Sequence, residues 1–133
     1  MIRVARQADI PAITELMHSE PGFWDAAWRP DTLALAIRAA DDLAVVWEEN
    51  NAILAFGCAQ DCGFRSYLSA LIVHPTARHR GIGRRIVEEI EERLATRRCS
   101  VLISDVWQDS VGFYRSLGWS PPDVVLLRQR LDR

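Results

Sequence analysis

Long hydrophobic runs and an excess of either charge are both missing from this sequence. Its 133 residues carry 16 Lys+Arg against 18 Asp+Glu, a formal net charge of −2. Without a global positive charge the chain has no overall attraction to nucleic acid. No apolar run approaches the length of a membrane span, and the first residues, Met1–Arg6, do not have the pattern of a secretory signal peptide. We therefore expect a cytoplasmic protein with no nucleic-acid partner and no membrane partner.

Cysteine is scarce and odd in number, with Cys58, Cys62 and Cys99. Cys58 and Cys62 have the spacing CxxxC, but no second pair of cysteine or histidine residues completes a zinc site. We expect reduced structural thiols, as in cytoplasmic proteins, and no bound metal.

The sequence does have the composition of a globular protein, with 49% hydrophobic and 26% charged residues. A chain of this length is large enough to bury a hydrophobic core. No repeats, low-complexity segments or linkers interrupt it, so we predict a single domain over residues 1–133.

Hydrophobic periodicity predicts an α/β chain that includes an antiparallel meander. The predicted helices are one capped by Asp9 with Pro11 just inside it, one capped by Asp31, a long one after Gly81, and a short one capped by Asp109 or Ser110. The predicted strands are Ile2–Val4, Leu43–Trp47, Ala52–Ala59, Tyr67–Val73, Val101–Val106 and Val124–Leu131. The second to fourth of these form the meander, which leads into the long helix.

The most informative stretch joins the meander to the long helix. The apolar run Leu68–Val73 is followed by a short basic loop, by Gly81 and Gly83, and then by an amphipathic helix. Glycine lets the backbone approach a ligand closely, and the first turn of a helix presents N–H groups with a partial positive charge. Five basic side chains lie within the same eight residues: Arg78, His79, Arg80, Arg84 and Arg85. This order of elements predicts a site for a phosphate group.

Three phosphate-containing ligands compete for such a site. A nucleoside triphosphate site of the Walker type needs a lysine that this chain lacks at the required place. A dinucleotide site needs a third glycine where Ile86 stands, and the gap from Val73 to Gly81 is too long for its tight turn, although Asp105 lies about twenty residues on, where a ribose-binding acid belongs. The third ligand is the diphosphate of coenzyme A.

Two motifs in the right order favour the third ligand. Arg78-x-x-Gly81-x-Gly83 before an amphipathic helix resembles the acetyl-CoA-binding motif of the GNAT superfamily of N-acetyltransferases. Phe113-Tyr114-Arg115-Ser116-Leu117-Gly118-Trp119 resembles the Phe-Tyr-x-x-x-Gly-Phe run near the C-terminus of that family. The order of the predicted elements also matches the family over the whole chain.

The resemblance implies a fold, a reaction and a set of site residues. The fold is a mixed, mostly antiparallel central sheet flanked by helices, with a splay between its two central strands. The reaction is transfer of an acetyl group from acetyl-CoA to a primary amine in a ternary complex, without a metal. Tyr114 matches the family's general acid, and a phenol is protonated at neutral pH. The residues implied in acetyl-CoA binding are Leu71, Ile72, Val73, Arg78, His79, Arg80, Gly81, Ile82, Gly83 and Arg84.

Three departures from the family pattern bear on the site, besides a mild change of the usual alanine to Ser110. The family often has glycine where His79 stands, and a side chain fits there if φ is negative. An asparagine common in the family is replaced by Trp107, and the strand carboxylate that many members carry near Ser69 is absent. The group that deprotonates the amine is therefore open between Asp61, Asp105, His74 and a bound water. The departures also leave an alternative function, a non-catalytic acyl-CoA-binding regulatory or sensor module.

Aromatic residues are the candidates for contacting the acceptor: Phe23, Trp24, Trp28 and Trp107. An aromatic wall suits a flat or cationic group, but packing in the core or in a lid explains these residues equally well. The sequence does not distinguish a small-molecule amine from a peptide amine, and it leaves a homodimer open.

Overall fold

The computed structural model of the chain describes residues 1–132. These residues divide into two compact units, residues 1–103 and a second unit that begins at Ser104. The single domain over residues 1–133 remains a prediction.

The first unit is built on one five-stranded sheet, in which the strands lie side by side in chain order: β1 Ile2–Val4, β2 Ala44–Glu49, β3 Ala52–Asp61, β4 Ser66–Val73 and β5 Leu102–Ile103. The first four strands pair antiparallel with their neighbours, and β5 pairs parallel with β4. The mixed, mostly antiparallel sheet that the resemblance implied is thus confirmed.

Three α-helices belong to this unit, and a short one lies in the second unit. The helices are α1 Ile10–His18, α2 Thr32–Ala40, α3 Ile82–Thr96 and, in the second unit, α4 Val111–Ser116. The hydrophobic periodicity that predicted α3 agrees with its burial, because its apolar residues, most of them four apart, are the buried ones: Ile82, Ile86, Val87, Ile90 and Leu94. The α3 helix packs on β3 at Gly57, where a side-chain Cβ would lie 2.3 Å from Cγ2 of Ile86.

Pairing between β4 and β5 is short. It covers only Ser66 with Leu102 and Tyr67 with Ile103, although β4 continues to Val73. The parting of β4 and β5 after two residue pairs is the splay that we expected, although β5 is the edge strand of this sheet and not a central one. Along residues 68–73, the structure of residues 1–132 gives β4 no strand partner on the side away from β3.

Two strand predictions are wrong in extent or in kind. The strand predicted over Val101–Val106 is reduced to Leu102–Ile103, since the ladder with β4 is that short, and Val101 is 50% exposed. The final strand predicted over Val124–Leu131 does not form. The described part of the second unit contains no strand with which it could pair, and its apolar side chains are 68–88% exposed.

The predicted helix caps are also only partly right. Asp9 and Asp31 occupy the positions before α1 and α2, but neither side chain makes a capping hydrogen bond. The Asp9 carboxylate instead accepts from the Arg3 guanidinium at 2.8 and 2.9 Å and from the Arg6 amide at 2.8 Å. The hydrogen bond from Arg3, more than any other contact, holds the pKa of Asp9 below its usual value. Asp9 therefore ties the start of α1 to β1.

All three cysteines are free thiols. Cys58 is buried, and desolvation raises the pKa of its thiol to about 11, whereas Cys62 is exposed. No helix among residues 1–132 combines the length and the apolar character needed to cross a membrane.

Candidate active site

The N-terminus of α3 has the geometry of an anion site. The loop between β4 and α3, residues 74–81, ends at Gly81, which adopts a left-handed φ of +78°. The first intrahelical hydrogen bond runs from the Arg85 amide to the Gly81 carbonyl at 3.1 Å, so the amides of Ile82 and Gly83 precede it. Amides in this position have no acceptor within the helix and carry the positive end of its dipole. They can bind a phosphate oxygen.

His79 departs from our expectation for this loop. A side chain was expected to fit if φ were negative, but φ at His79 is +65°. Residues other than glycine pay a steric cost in this region, about 1–2 kcal/mol. The turn therefore has the backbone of a glycine, which is the residue that the family often carries here, and His79 adopts it under strain.

A β-bulge decides which backbone groups of β4 face away from β3. The register pairs Cys58 with Ala70 and Ala59 with Leu68, so Ser69 is the extra residue on β4. Its hydroxyl donates to the Cys58 carbonyl at 3.2 Å. Because a bulge inserts one residue, it reverses which residues of the strand point to either side.

Past the bulge, alternate residues of β4 face the splay. The His74 amide donates to the Leu54 carbonyl on β3 at 2.8 Å. By the alternation of an antiparallel ladder, the amides and carbonyls of Leu71 and Val73 then point away from β3. We call these groups the open edge of β4. Ile72 pairs with Phe56 and buries its side chain, so it serves the sheet and the core.

The arginine side chains of the loop are paired with carboxylates. Nη2 of Arg78 lies 2.6 Å from the Glu20 carboxylate, and Nε of Arg78 donates to the Val73 carbonyl at 3.2 Å. Arg80 contacts both oxygens of Glu49 at 2.9 and 2.8 Å. The hydrogen bond from Arg80, more than that from Trp47, lowers the pKa of Glu49.

Arg84 and Arg85 follow the same rule within the helix. They lie 3.7 and 3.5 Å from Glu88 and Glu89, each four residues further along the helix. Because these carboxylates offset the charge of the arginine side chains, the backbone amides are the more dependable source of positive potential at the N-terminus of α3.

Two of the candidate bases in the first unit have other roles. The His74 ring accepts from the Thr76 amide at 3.2 Å and so caps the short turn Pro75–Ala77. Asp61 lies opposite Ser66 at the other end of β4, about 23 Å along the strand from Val73. Hydrogen bonds from the Gly63 amide and then from Cys99 lower the pKa of Asp61, which makes its carboxylate a weak base.

The aromatic segment, Phe23–Trp28, lies between α1 and α2 outside any helix or strand. Trp24 stacks on His18 with ring centroids 5.1 Å apart and meets Trp28 edge to face at 5.2 Å. Trp28 is 39% exposed, and Phe23 and Trp24 are half-buried, so none of the three is a core residue. The sequence did not single out His18, because only its place six residues before Trp24 links it to the aromatic segment.

The second unit holds Tyr114 and Trp107. Tyr114 is buried on α4, with its ring 5.1 Å from Phe113 and 5.0 Å from Trp119. Gly118, with φ of +93°, follows the helix, as a glycine commonly does just past the last turn. Trp107 is 51% exposed. Desolvation raises the pKa of the Tyr114 phenol to about 12, so the phenol keeps its proton at neutral pH.

This pKa predicts how stability changes in alkali. The phenol ionises near pH 10 in the unfolded chain and near 12 in the folded one, so the free energy of unfolding falls as pH rises between these values. At pH 11 the wild-type chain should lose about 1 kcal/mol that Tyr114→Phe retains, each relative to its own stability at pH 8. Urea unfolding at the two pH values measures this difference. Equal losses in the two proteins would contradict the burial of the phenol.

No cluster of three or more His, Cys, Asp or Glu residues suited to a metal ion occurs within residues 1–132.

The fold and the first unit's site define a mixed α/β protein that can hold an anion at a helix N-terminus beside an open strand edge. The model of the acetyltransferase (GNAT) family matches residues 10–119, and the chain belongs to this family. It is thus an N-acetyltransferase.

Individual relatives agree with this assignment. The chain is 30% identical over 132 residues to the peptidyl-lysine N-acetyltransferase YiaC of Escherichia coli (strain K12), across 94% of this chain and 86% of that protein. It is 26% identical over 138 residues to glucosamine 6-phosphate N-acetyltransferase 1 of Oryza sativa subsp. japonica, across 94% and 84%. The solved PaiA N-acetyltransferase of Thermoplasma acidophilum, in complex with coenzyme A, has the same fold. Its TM-score is 0.72 at 17% identity, with 89% of this chain and 86% of that one covered.

Proposed function

We propose that this protein transfers the acetyl group of acetyl-CoA to a primary amine by direct attack in a ternary complex. The observation that carries the proposal is the junction of β4 and α3. There, backbone groups of β4 that face the splay are followed, after the loop of residues 74–81, by amides ahead of the first helical hydrogen bond. A diphosphate on a peptide-like arm needs both features.

Each feature has one task. The amides from His79 to Arg84 hold the diphosphate, with the helix dipole and Gly81 making the close approach favourable. The open edge of β4, at Leu71 and Val73, pairs with the amides of the pantetheine arm as a neighbouring strand would. Acetyl-CoA supplies an activated thioester carbonyl, and orienting it accounts for much of the rate. Tyr114 gives its proton to the departing thiolate.

The acceptor is a primary amine, and the first candidate is a lysine side chain. The support is the 30% identity to a peptidyl-lysine N-acetyltransferase, while a more distant relative is named for a sugar phosphate. For removal of the amine proton, Asp61 is disfavoured by its lowered pKa and its place at the far end of β4, and His74 by the hydrogen bond that its ring accepts from the Thr76 amide. Asp105 and a bound water stay as candidates.

Charge reversal at the helix N-terminus tests cofactor binding. We expect Arg84→Glu to weaken coenzyme A binding, measured by calorimetry, by about tenfold or more, because a carboxylate in the first turn of α3 repels the diphosphate. An acidic residue favours a helix start and the new pair with Glu88 opposes it, so the free energy of unfolding should change by less than about 0.5 kcal/mol.

The control for that variant is Arg38→Glu on α2. Arg38 is exposed, and its reversal changes the net charge by the same amount. Equal affinities of the two variants for coenzyme A would remove the α3 N-terminus from the site.

Turnover is a separate question, because Trp107 and the missing strand carboxylate leave the sensor module as the second candidate. Free-thiol release from acetyl-CoA, measured over a panel of lysine peptides, amino sugars and polyamines, distinguishes the two functions. Release with one acceptor class establishes the enzyme's substrate. Tight binding of coenzyme A without release from any amine favours the sensor.

A further inference from the structure

Arg78 makes two contacts that join separate parts of the first unit. Its Nε donates to the carbonyl of Val73, five residues earlier, and its Nη2 lies 2.6 Å from the carboxylate of Glu20, fifty-eight residues earlier. The first contact closes the loop after β4. The second links that loop to the end of α1.

Both partners of Arg78 lie at positions that the proposed reaction uses. The Val73 carbonyl belongs to the open edge of β4, and the Arg78 guanidinium already occupies one of its two lone pairs and so competes with a pantetheine amide for this oxygen. Glu20 begins the turn into the aromatic segment, since the Phe23 amide donates to its carbonyl at 3.1 Å. The arginine therefore covers part of the cofactor's edge and holds the base of the aromatic segment.

We propose that the Arg78–Glu20 pair is a latch, with Glu20 as a positioning residue that cofactor binding releases. The proposal rests on the proposed function, because the diphosphate of coenzyme A is the anion that competes for Arg78. When the diphosphate takes the guanidinium, the Val73 carbonyl is freed for the pantetheine arm. Glu20 loses its partner at the same time, and the aromatic segment loosens.

The exposure of the pair suits a latch. The side chains of Arg78 and Glu20 are 41% and 27% exposed, so solvent screens their attraction and the pair is weak. A diphosphate carries more charge than one carboxylate and is also held by the amides of the α3 N-terminus. The diphosphate therefore displaces Glu20 from Arg78, and cofactor binding prepares the aromatic segment for an acceptor.

The first test is the affinity of Glu20→Gln for coenzyme A. Removing the competing carboxylate should tighten binding by about two- to fivefold. The matched control is Glu15→Gln, which removes the same charge from an exposed position on α1 and should leave the affinity unchanged. Affinities equal in Glu20→Gln and the wild type would overturn the latch, and so would equal tightening in both variants.

The second test separates release from a structural role. Hydrogen exchange across residues 20–28 is followed with and without adenosine 3′-phosphate 5′-diphosphate, the half of coenzyme A that has no pantetheine arm. In the wild type the nucleotide should speed this exchange. In Glu20→Gln exchange should be fast from the start and should not respond.

The outcomes separate the latch from the proposed function. If calorimetry shows that the wild type binds coenzyme A while exchange across residues 20–28 stays constant or slows, the latch is wrong and the acetyl-CoA site stands. If the wild type binds no coenzyme A, both proposals fail together.

Discussion

Gly57→Ala is expected to lower the free energy of unfolding by about 3 kcal/mol. A Cβ at this position would lie 2.3 Å from Cγ2 of Ile86 and 3.1 Å from Cδ1 of Ile90. Cγ2 of Ile86 is attached directly to its Cβ, and a β-branched side chain in a helix has essentially one rotamer, so it cannot turn away. The α3 helix must then move off β3 and lose the close packing of a fully buried surface. Urea unfolding followed by circular dichroism measures the loss.

Two further variants assign that loss to the contact. Gly112→Ala on α4 meets nothing within 4 Å and should be neutral or stabilising by up to about 1 kcal/mol, as alanine is in a helix. Ile86→Ala removes the clashing methyl but leaves a cavity, so alone it should cost about 2–5 kcal/mol. If the contact is the cause, the double variant Gly57→Ala with Ile86→Ala is less destabilised than the sum of the two. Simple additivity would count against the clash.

The same contact shows what periodicity reveals and what it hides. Apolar residues four apart predicted α3 and its buried face, because a helix repeats every 3.6 residues and the buried stripe is a local property. That α3 must lie so close to β3 that only Gly57 fits beneath Ile86 depends on two elements about thirty residues apart. No local pattern carries that information.

The candidate site likewise has features that follow from the local sequence and features that depend on contacts between distant residues. Strand, loop and helix N-terminus at Val73–Gly83 were readable, since residue types in sequence order determine them. The bulge at Ser69, which decides that Leu71 and Val73 face the splay, was not readable, because it is a register shift between two strands. The partner of Arg78 lies at Glu20, and no spacing rule connects positions so far apart.

The prediction of a final strand was wrong for a related reason. Val124–Leu131 has the composition of a strand, but a strand exists only as part of a ladder. The described part of the second unit supplies no partner for it. At His79 we expected a side chain to fit if φ were negative, but φ is +65°, a left-handed value that the family's usual glycine would adopt without strain.

The largest expected effect on activity is that of Tyr114→Phe. If Tyr114 is the general acid, the variant should lose about 100-fold or more in kcat, the usual contribution of a positioned proton donor, with coenzyme A affinity unchanged. The raised pKa of about 12 is compatible with this role, since the phenol is protonated throughout the neutral range. The ring contacts with Phe113 and Trp119 need only the aromatic ring, so phenylalanine should preserve them.

Tyr67→Phe is the matched control, because it deletes the chain's other phenolic hydroxyl, at the start of β4. Its kcat should stay within about twofold of the wild type. Thiol release at saturating acetyl-CoA, with the best acceptor of the amine panel, compares the three proteins. A wild-type rate in Tyr114→Phe would remove Tyr114 from the chemistry and leave it as a packing residue of α4. A fall shared by both variants would instead point to a general loss of structure, which circular dichroism would detect. Only a selective fall in kcat, with coenzyme A bound as tightly as before, connects the buried phenol to the departing thiolate.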